Sequence, residues 1–259
     1  MKLTHKLCAA ALVAAFGAAV ALPHGAYAEG EETTTGNPLE FSGKGTINFS
    51  EDDGEDKPLD PTDPTKPGDI IKPPVNDAAG PLKVIAITDL NFGANKVTPA
   101  TGNGWEYTAQ AAEVEYKDGK KVVSPNFVQF KDTRANNEAN KHTLIAKATT
   151  FINEQDKELK SAQLKFSNIK LVNGADQNQV NAAGVPAAQT VETDGTTPTT
   201  FVTQDAADKG FGQFILQFGD TADSTEGDSV KLWVPSEGNK LSTSSGYSST
   251  ITWTIANAR

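Results

Sequence analysis

Cysteine and histidine are almost missing from this chain. It has one cysteine and three histidines in 259 residues, and Cys8, His5 and His24 all lie in the first 28. That opening, "MKLTHKLCAAALVAAFGAAVALPHGAYA", places Lys2 and Lys6 before an apolar run over residues 7–22. Pro23 breaks the run, and Ala26-Tyr27-Ala28 follows as an A-x-A site. The pattern predicts a secretory signal peptide over 1–28, cleaved after Ala28. An uncleaved run of this length is short for a bilayer, which takes about 20 apolar residues, so no membrane span is expected in the mature form. Cys8 sits at the start of the apolar run, where a lipid-modified cysteine does not belong. The mature chain then has no disulfide, no thiol nucleophile and no thiolate metal site. His142 is its last histidine. A metal site could draw one imidazole from it at most, and any Ser-His-Asp site would have to be built on it. No cofactor is expected.

Basic residues are also in deficit. There are 23 Lys and Arg against 33 Asp and Glu, a net charge of −10. Losing Lys2 and Lys6 leaves 21 against 33, or −12. Nucleic-acid binding needs clustered cations, so it is excluded. Attraction to anionic envelope polymers is excluded too, and binding to them must use stacking and hydrogen bonds at a local site. There is no P-loop and no G-x-G-x-x-G strand–helix motif. Asp132, Glu113 and Asp220 could in principle serve a carboxylate-based glycosidase, but no spacing selects a pair, and the chain is expected not to be an enzyme.

Long amphipathic helices are scarce, and "TTFINEQDKELKSAQ" is the best helical candidate. Residues 29–49 form a polar segment with a strand-like patch in which Leu39, Phe41, Ile47 and Phe49 alternate around Gly43 and Gly45, read as two short strands or one strand added to the main domain. Residues 50–79 are acidic and proline-rich. Pro58, Pro61, Pro64 and Pro67 recur every third residue, the period of polyproline II, so this stretch is read as an extended spacer. Its "EDDGED" lacks the spaced ligands and closing Glu of a calcium loop.

From residue 80 onward, period-two apolar alternation dominates. "VEYKDGKKVV" reads as a hairpin with a type I′ turn at Asp118-Gly119. "FVQF" and "GQFILQF" read as strands. "AQLKFSNIKL" changes register near Ser167-Asn168, which suggests a bulge. Residues 173–198 read as a long surface loop or extended edge segment. Val230, Leu232 and Val234 in one strand and Ile251, Trp253 and Ile255 in another are expected to form a C-terminal hairpin. The fold class is all-β, an antiparallel β-sandwich or jelly-roll-like domain over 80–259.

The aromatics are the best candidates for binding. Trp253 shares a face with Ile251 and Ile255 and is expected in the core. Trp233 lies opposite Val230, Leu232 and Val234. Its ring is either exposed, where it could stack on a sugar ring or an apolar patch, or covered by the 173–198 loop. His142 is expected to be a surface or half-buried strand histidine.

The order of these pieces resembles the WxL-domain surface proteins of low-GC Gram-positive bacteria. It runs from a signal peptide through "GKGTINFSEDD", a "DPTDPTKPGD" linker and "GPLKVIAITDLNFGANKVTP" to a terminal "STITWTIANA". The family's two Trp-x-Leu motifs fall on Trp253-Thr254-Ile255, with Ile for Leu, and on His142-Thr143-Leu144, with His for Trp. Trp105 lies too near the domain start to be the first motif. The resemblance implies a secreted, non-catalytic protein attached non-covalently to cell-wall peptidoglycan or another wall polymer. It further implies surface complexes with WxL-interacting and wall-anchored proteins, connected with adhesion or polysaccharide handling. Two alternatives stand beside this: an assembly subunit that binds only a partner surface protein, and a carboxylate-based carbohydrate-active enzyme. No sorting motif follows Arg259, so attachment is expected to come from the folded domain itself.

Overall fold

The computed structural model describes residues 45–49, 57–135 and 139–258. The signal peptide with its cleavage site at Ala28, the patch at Leu39, Phe41 and Gly43, and the acidic "EDDGED" lie outside them. Residues 45–48 belong to an N-terminal unit, described here only as exposed irregular chain. Everything else belongs to a second unit that starts at Phe49.

That unit is built from strands, in keeping with the alternation in the sequence. In chain order they are β1 (Leu59–Asp60), β2 (Asp63–Pro67), β3 (Ile70–Lys72), β4 (Leu82–Ile87), β5 (Gly104–Thr108), β6 (Ala112–Tyr116), β7 (Lys121–Ser124), β8 (Asn126–Asp132), β9 (His142–Ala148) and β10 (Phe151–Asn153). They continue with β11 (Glu158–Leu159), β12 (Gln163–Phe166), β13 (Ile169–Asn173), β14 (Gln189–Glu192), β15 (Thr199–Gln204), β16 (Gly212–Phe218), β17 (Val230–Pro235), β18 (Tyr247–Ser248) and β19 (Ile251–Asn257). All pairings are antiparallel.

The sheet β13-β16-β8-β4 is covered on both faces. Val128 and Phe130 of β8, with Phe214, Leu216 and Phe218 of β16, face the main core. There they meet Leu164, Phe166 and Leu232 of the sheet β14-β12-β17-β5, and Leu144, Ala146 and Phe201 of the sheet β15-β9-β19. On the opposite face Ile85, Phe127 and Ile215 meet Leu59, Ile70 and Val114 in a smaller second core. Every residue of β8 is therefore buried. Burial on both faces removes the wet side that a half-buried strand would have.

Several expectations are corrected. The stretch 57–72 is not a free spacer. Leu59 and Ile70 are buried, and three glutamines hold the backbone beside Leu59. Gln129 Nε2 donates to Leu59 O at 2.7 Å and its Oε1 accepts from Leu59 N at 2.9 Å. Gln213 Nε2 donates to Lys57 O and Gln217 Nε2 to Pro61 O. Tyr116 Oη donates to Asp60 Oδ1. The proline spacing does favour extended chain, but extended chain with free carbonyls is also what side-chain amides can dock. Gln129→Ala leaves the N–H and C=O of Leu59 without partners in a buried place. It is expected to lower the unfolding free energy by about 2 kcal/mol, given roughly 1–3 for a buried unsatisfied group. Urea denaturation checks this.

Residues 149–163 form a short hairpin, β10 with β11, and not a helix. Asn153 Oδ1 accepts from the backbone N–H of Gln155 and Lys157, and Asp156 takes φ +57°. A side chain that satisfies the turn in this way competes with the helix. β17 and β19 do not pair: β17 lies between β12 and β5, and β19 pairs with β9. Ser167-Asn168 is the corner at which the chain leaves one sheet for another, with Asn168 at φ +49°. Residues 173–198 include two short 3-10 turns and β14. The β6–β7 hairpin forms as expected, but only Gly119 of its loop has positive φ, +82°. Gly119 N donates to Tyr116 O and Tyr116 N to Lys120 O. This is a type I turn closed by a glycine bulge, not type I′.

Candidate functional site

The two motif segments, more than a hundred residues apart in sequence, lie side by side. β9 and β19 pair with Leu144 opposite Ile255, Thr143 opposite Ala256 and His142 opposite Asn257. Trp253 lies opposite Ala146, and Thr254 opposite Ile145. Strand alternation turns His142, Leu144, Trp253 and Ile255 inward and Thr143 and Thr254 outward. His142 and Leu144 are buried, and Thr254 is exposed.

Trp253 faces inward, as its spacing with Ile251 and Ile255 predicts. Its ring centroid lies 4.8 Å from that of Phe201, 5.9 Å from Phe218 and 6.3 Å from Phe166. The ring is only half-buried, and it lines a cleft of about 360 Å³ together with Phe151, Phe166, Phe218 and Tyr247. Thr88, Asp89, Asn91 and Ser249 add polar groups to the rim. The loop after β4 is stapled in place. Asn91 Nδ2 donates to Gln110 Oε1, and Asn91 Oδ1 accepts from Gly93 N. Aromatic faces with a few polar groups at the margin suit a ligand that presents C–H faces and hydroxyls.

His142, expected at the surface or half-buried, is enclosed at 1 % exposure. It packs at a steep angle against the stacked pair of Phe130 and Phe214, with ring centroids at 5.6 and 6.1 Å. Its Nδ1 is 3.0 Å from Asp132 Oδ2. An ionised carboxylate can only accept, so Nδ1 carries the proton and donates. Arg134 Nε donates to Asp132 Oδ1 at 2.7 Å, and its Nη2 donates to Oδ2. Asn140 Nδ2 also donates to Oδ1, at 2.9 Å. Burial pushes the Asp132 carboxyl up, but the hydrogen bonds from Arg134, His142 and Asn140 outweigh it and hold the group well below the usual carboxylate range. This carboxylate is structural, and His142 presents no surface to a ligand.

Trp233 lies on the outer face of its sheet, as expected, but is half-buried. Lys165 Nζ sits over its ring, 5.1 Å from the centroid. The indole also runs across Gly104, where an added Cβ would meet Nε1 at 3.0 Å. Trp105 packs against the main core and donates from Nε1 to Thr98 O at 2.8 Å. Glu113 pairs with Lys121 at 2.6 Å, and Asp220 with Lys170 at 2.8 Å. With Asp132 bound to Arg134, each of the three candidate carboxylates is held by a cation of its own.

Phe151 and Tyr247, which shape the cleft, did not stand out in the sequence. One sits in the stretch read as helical and the other in a serine-rich loop. Two aromatics flanking turns that converge on a strand end were the available signal.

A family model described as "WxL domain surface cell wall-binding" matches residues 37–258. No curated protein and no solved structure matches the chain.

Proposed function

We propose, for a chain that belongs to the WxL family of surface cell wall-binding domains, that the cleft beside Trp253 is where a glycan strand of the wall is held. Membership makes the protein a cell-surface protein that binds the cell wall. The finer reading is non-covalent, non-catalytic attachment to peptidoglycan through the β domain, with secretion by the leader over 1–28 and membership of a surface complex. The observation that carries it is the half-buried ring of Trp253 in a cleft with six other aromatics. A net charge of −10 over the chain works against recognition of a wall polymer through its anionic groups, which leaves stacking and hydrogen bonds as the attractive forces.

Sedimentation of residues 29–259 with washed, protein-stripped walls tests this. The wild-type chain is expected to pellet. Trp253→Phe keeps most of the packing but shrinks the stacking surface, and is expected to pellet several-fold less while keeping its circular dichroism. Wild-type sedimentation no greater than that of an unrelated acidic domain would sink direct wall binding, and equal pelleting of Trp253→Phe would sink the cleft.

A second reading, that the chain reaches the wall through a partner protein, draws on the outer face of β15-β9-β19. Thr200, Thr252, Thr254 and Lys147 are exposed there, beside half-buried Thr143 and Ile145. Such a level face with hydroxyls at regular spacing suits a protein surface. Pelleting with whole walls but not with protein-stripped ones would favour it.

A further inference from the structure

One acid lies among the aromatic residues of the Trp253 cleft. Asp89 is the single charged residue of the lining among the described residues. The loop that carries it is pinned on both sides. Thr88 N donates to Phe127 O at 3.1 Å, and Thr88 Oγ1 accepts from Phe127 N at 2.9 Å. Asn91 O accepts from Gln110 N at 2.8 Å. Asp89 itself is exposed, and no hydrogen bond or ion pair reaches it among the described residues. Lys96, further along the same loop, lines a neighbouring cavity and not this cleft.

A ligand meets only the groups that solvent reaches. Phe92, Tyr247 and Trp253 are half-buried and Asp89 is exposed, whereas the phenyl groups of Phe127, Phe166 and Phe218 are buried. The accessible part of the cleft is therefore three aromatic side chains and one unpaired carboxylate. Ring faces attract a cation, and so does the carboxylate. A neutral unit laid across the cleft takes the Asp89 carboxylate partly out of water, with at most a neutral donor in return. An anionic unit is repelled by it and by a chain of net charge −10. A unit that carries a positive charge beside an apolar face meets both demands.

We propose that the Trp253 cleft takes a unit with a free primary amine, an N-deacetylated hexosamine of a glycan strand. Its C–H face lies on Trp253, and its ammonium pairs with Asp89 beside the aromatic rings. Asp89 is then the residue that sets specificity, separating amine-bearing units from acetylated and acidic ones. This inference rests on the reading of the Trp253 cleft as a glycan site and adds to it the chemistry of the unit held. An ammonium next to an apolar stem is also carried by a lysine side chain, so the test includes that source.

Calorimetric titration of residues 29–259, at low salt and mildly acidic pH, compares the β-1,4-linked disaccharide of glucosamine with its N-acetylated counterpart. The wild type is expected to bind the amine form about five- to tenfold tighter, the share of an exposed ion pair with a cation–π contact. Asp89→Asn keeps the shape of the side chain and loses no partner within the fold, so its melting temperature should match wild type. It is expected to weaken the amine form about fivefold and the acetylated form less than twofold. Molar salt should narrow the wild-type preference in the same way. Equal or tighter wild-type binding of the acetylated form overturns the inference, as does a preference that survives in Asp89→Asn. Equal weakening of both forms by Asp89→Asn also overturns it, because the carboxylate would then be an acceptor for hydroxyls. Tighter binding of Nα-acetyllysine amide than of the glucosamine disaccharide moves the ammonium to a peptide and overturns the sugar. Failure of both disaccharides to bind at millimolar concentration overturns the inference and leaves the cleft to be decided by wall pelleting of Trp253→Phe. Chemical N-acetylation of stripped walls is expected to reduce wild-type pelleting, and undiminished pelleting overturns the amine as the feature recognised on the wall.

Discussion

Trp253→Ala is expected to lower the unfolding free energy by about 3 kcal/mol. Core Trp→Ala changes cost roughly 3–5 kcal/mol, and the half-buried ring puts this one at the lower end. The ring contacts Phe166, Phe201 and Phe218, which come from three different strands, β12, β15 and β16. Its removal therefore opens a void where three sheets meet, and the remaining phenyl groups cannot close it without shifting whole strands. In a domain of about 200 residues such a loss moves the melting temperature down by roughly 6–12 °C. Domains of this kind have about 5–15 kcal/mol of stability, so the variant stays folded at 25 °C but loses the floor of the cleft. Thermal melts and wall sedimentation on the same sample separate the two effects. A melting temperature within about 2 °C of wild type would show that the ring belongs to the surface and not to the core.

The facing of Trp253 was legible because a strand has period two: with Ile251 and Ile255 on its side and Thr252 and Thr254 on the other, only one face can be apolar. The same rule placed Val230, Leu232 and Val234 in the core and Trp233 outside. Periodicity assigns a face, but it does not name the neighbouring strand. β17 and β19 are both alternating and close in sequence, yet β17 sits between β12 and β5, and β19 against β9. Choosing partners depends on how the whole core fills, and no short stretch of sequence carries that information.

The proline-rich stretch was misread for a related reason. Pro58, Pro61 and Pro64 do specify extended backbone. What anchors that backbone is three glutamines, one on β8 and two on β16, separated from it by 70 to 156 positions. Gln129 looks like the wet side of "FVQF" until the second core is in view. The cleft was legible only in its tryptophan. Phe92 comes from a loop, and Phe151 and Tyr247 from strands of three and two residues, too short for periodicity to mark them.

The His142 position shows the limit of motif reading and yields the other large effect. A residue with 1 % exposure against a stacked pair of phenyl rings is a packing position, whichever side chain occupies it. In this chain the imidazole is accommodated because Asp132 accepts its Nδ1 proton. Asp132→Ala removes the acceptor shared by Arg134, His142 and Asn140. The Arg134 side chain is 10 % exposed, so its charge would be left nearly dry. Breaking a buried pair from one side costs about 3–5 kcal/mol, and that loss is expected at neutral pH in urea denaturation. The pH dependence follows from the sign of the shift. Asp132 is held below its ordinary value in the folded state, so the unfolded chain takes up the proton more readily. Its contribution is complete above the ordinary carboxylate pKa of about 3.9 and drains away as pH falls below that value. Other carboxylates held low, such as Asp220 beside Lys170, give both proteins an acid limb. The difference between wild type and Asp132→Asn therefore isolates the buried group: between pH 5 and pH 3 the wild type should lose more stability than the variant. Parallel curves over that range would mean that Asp132 does not carry its charge in the folded protein, and that the polar cluster around His142 is held by neutral hydrogen bonds alone.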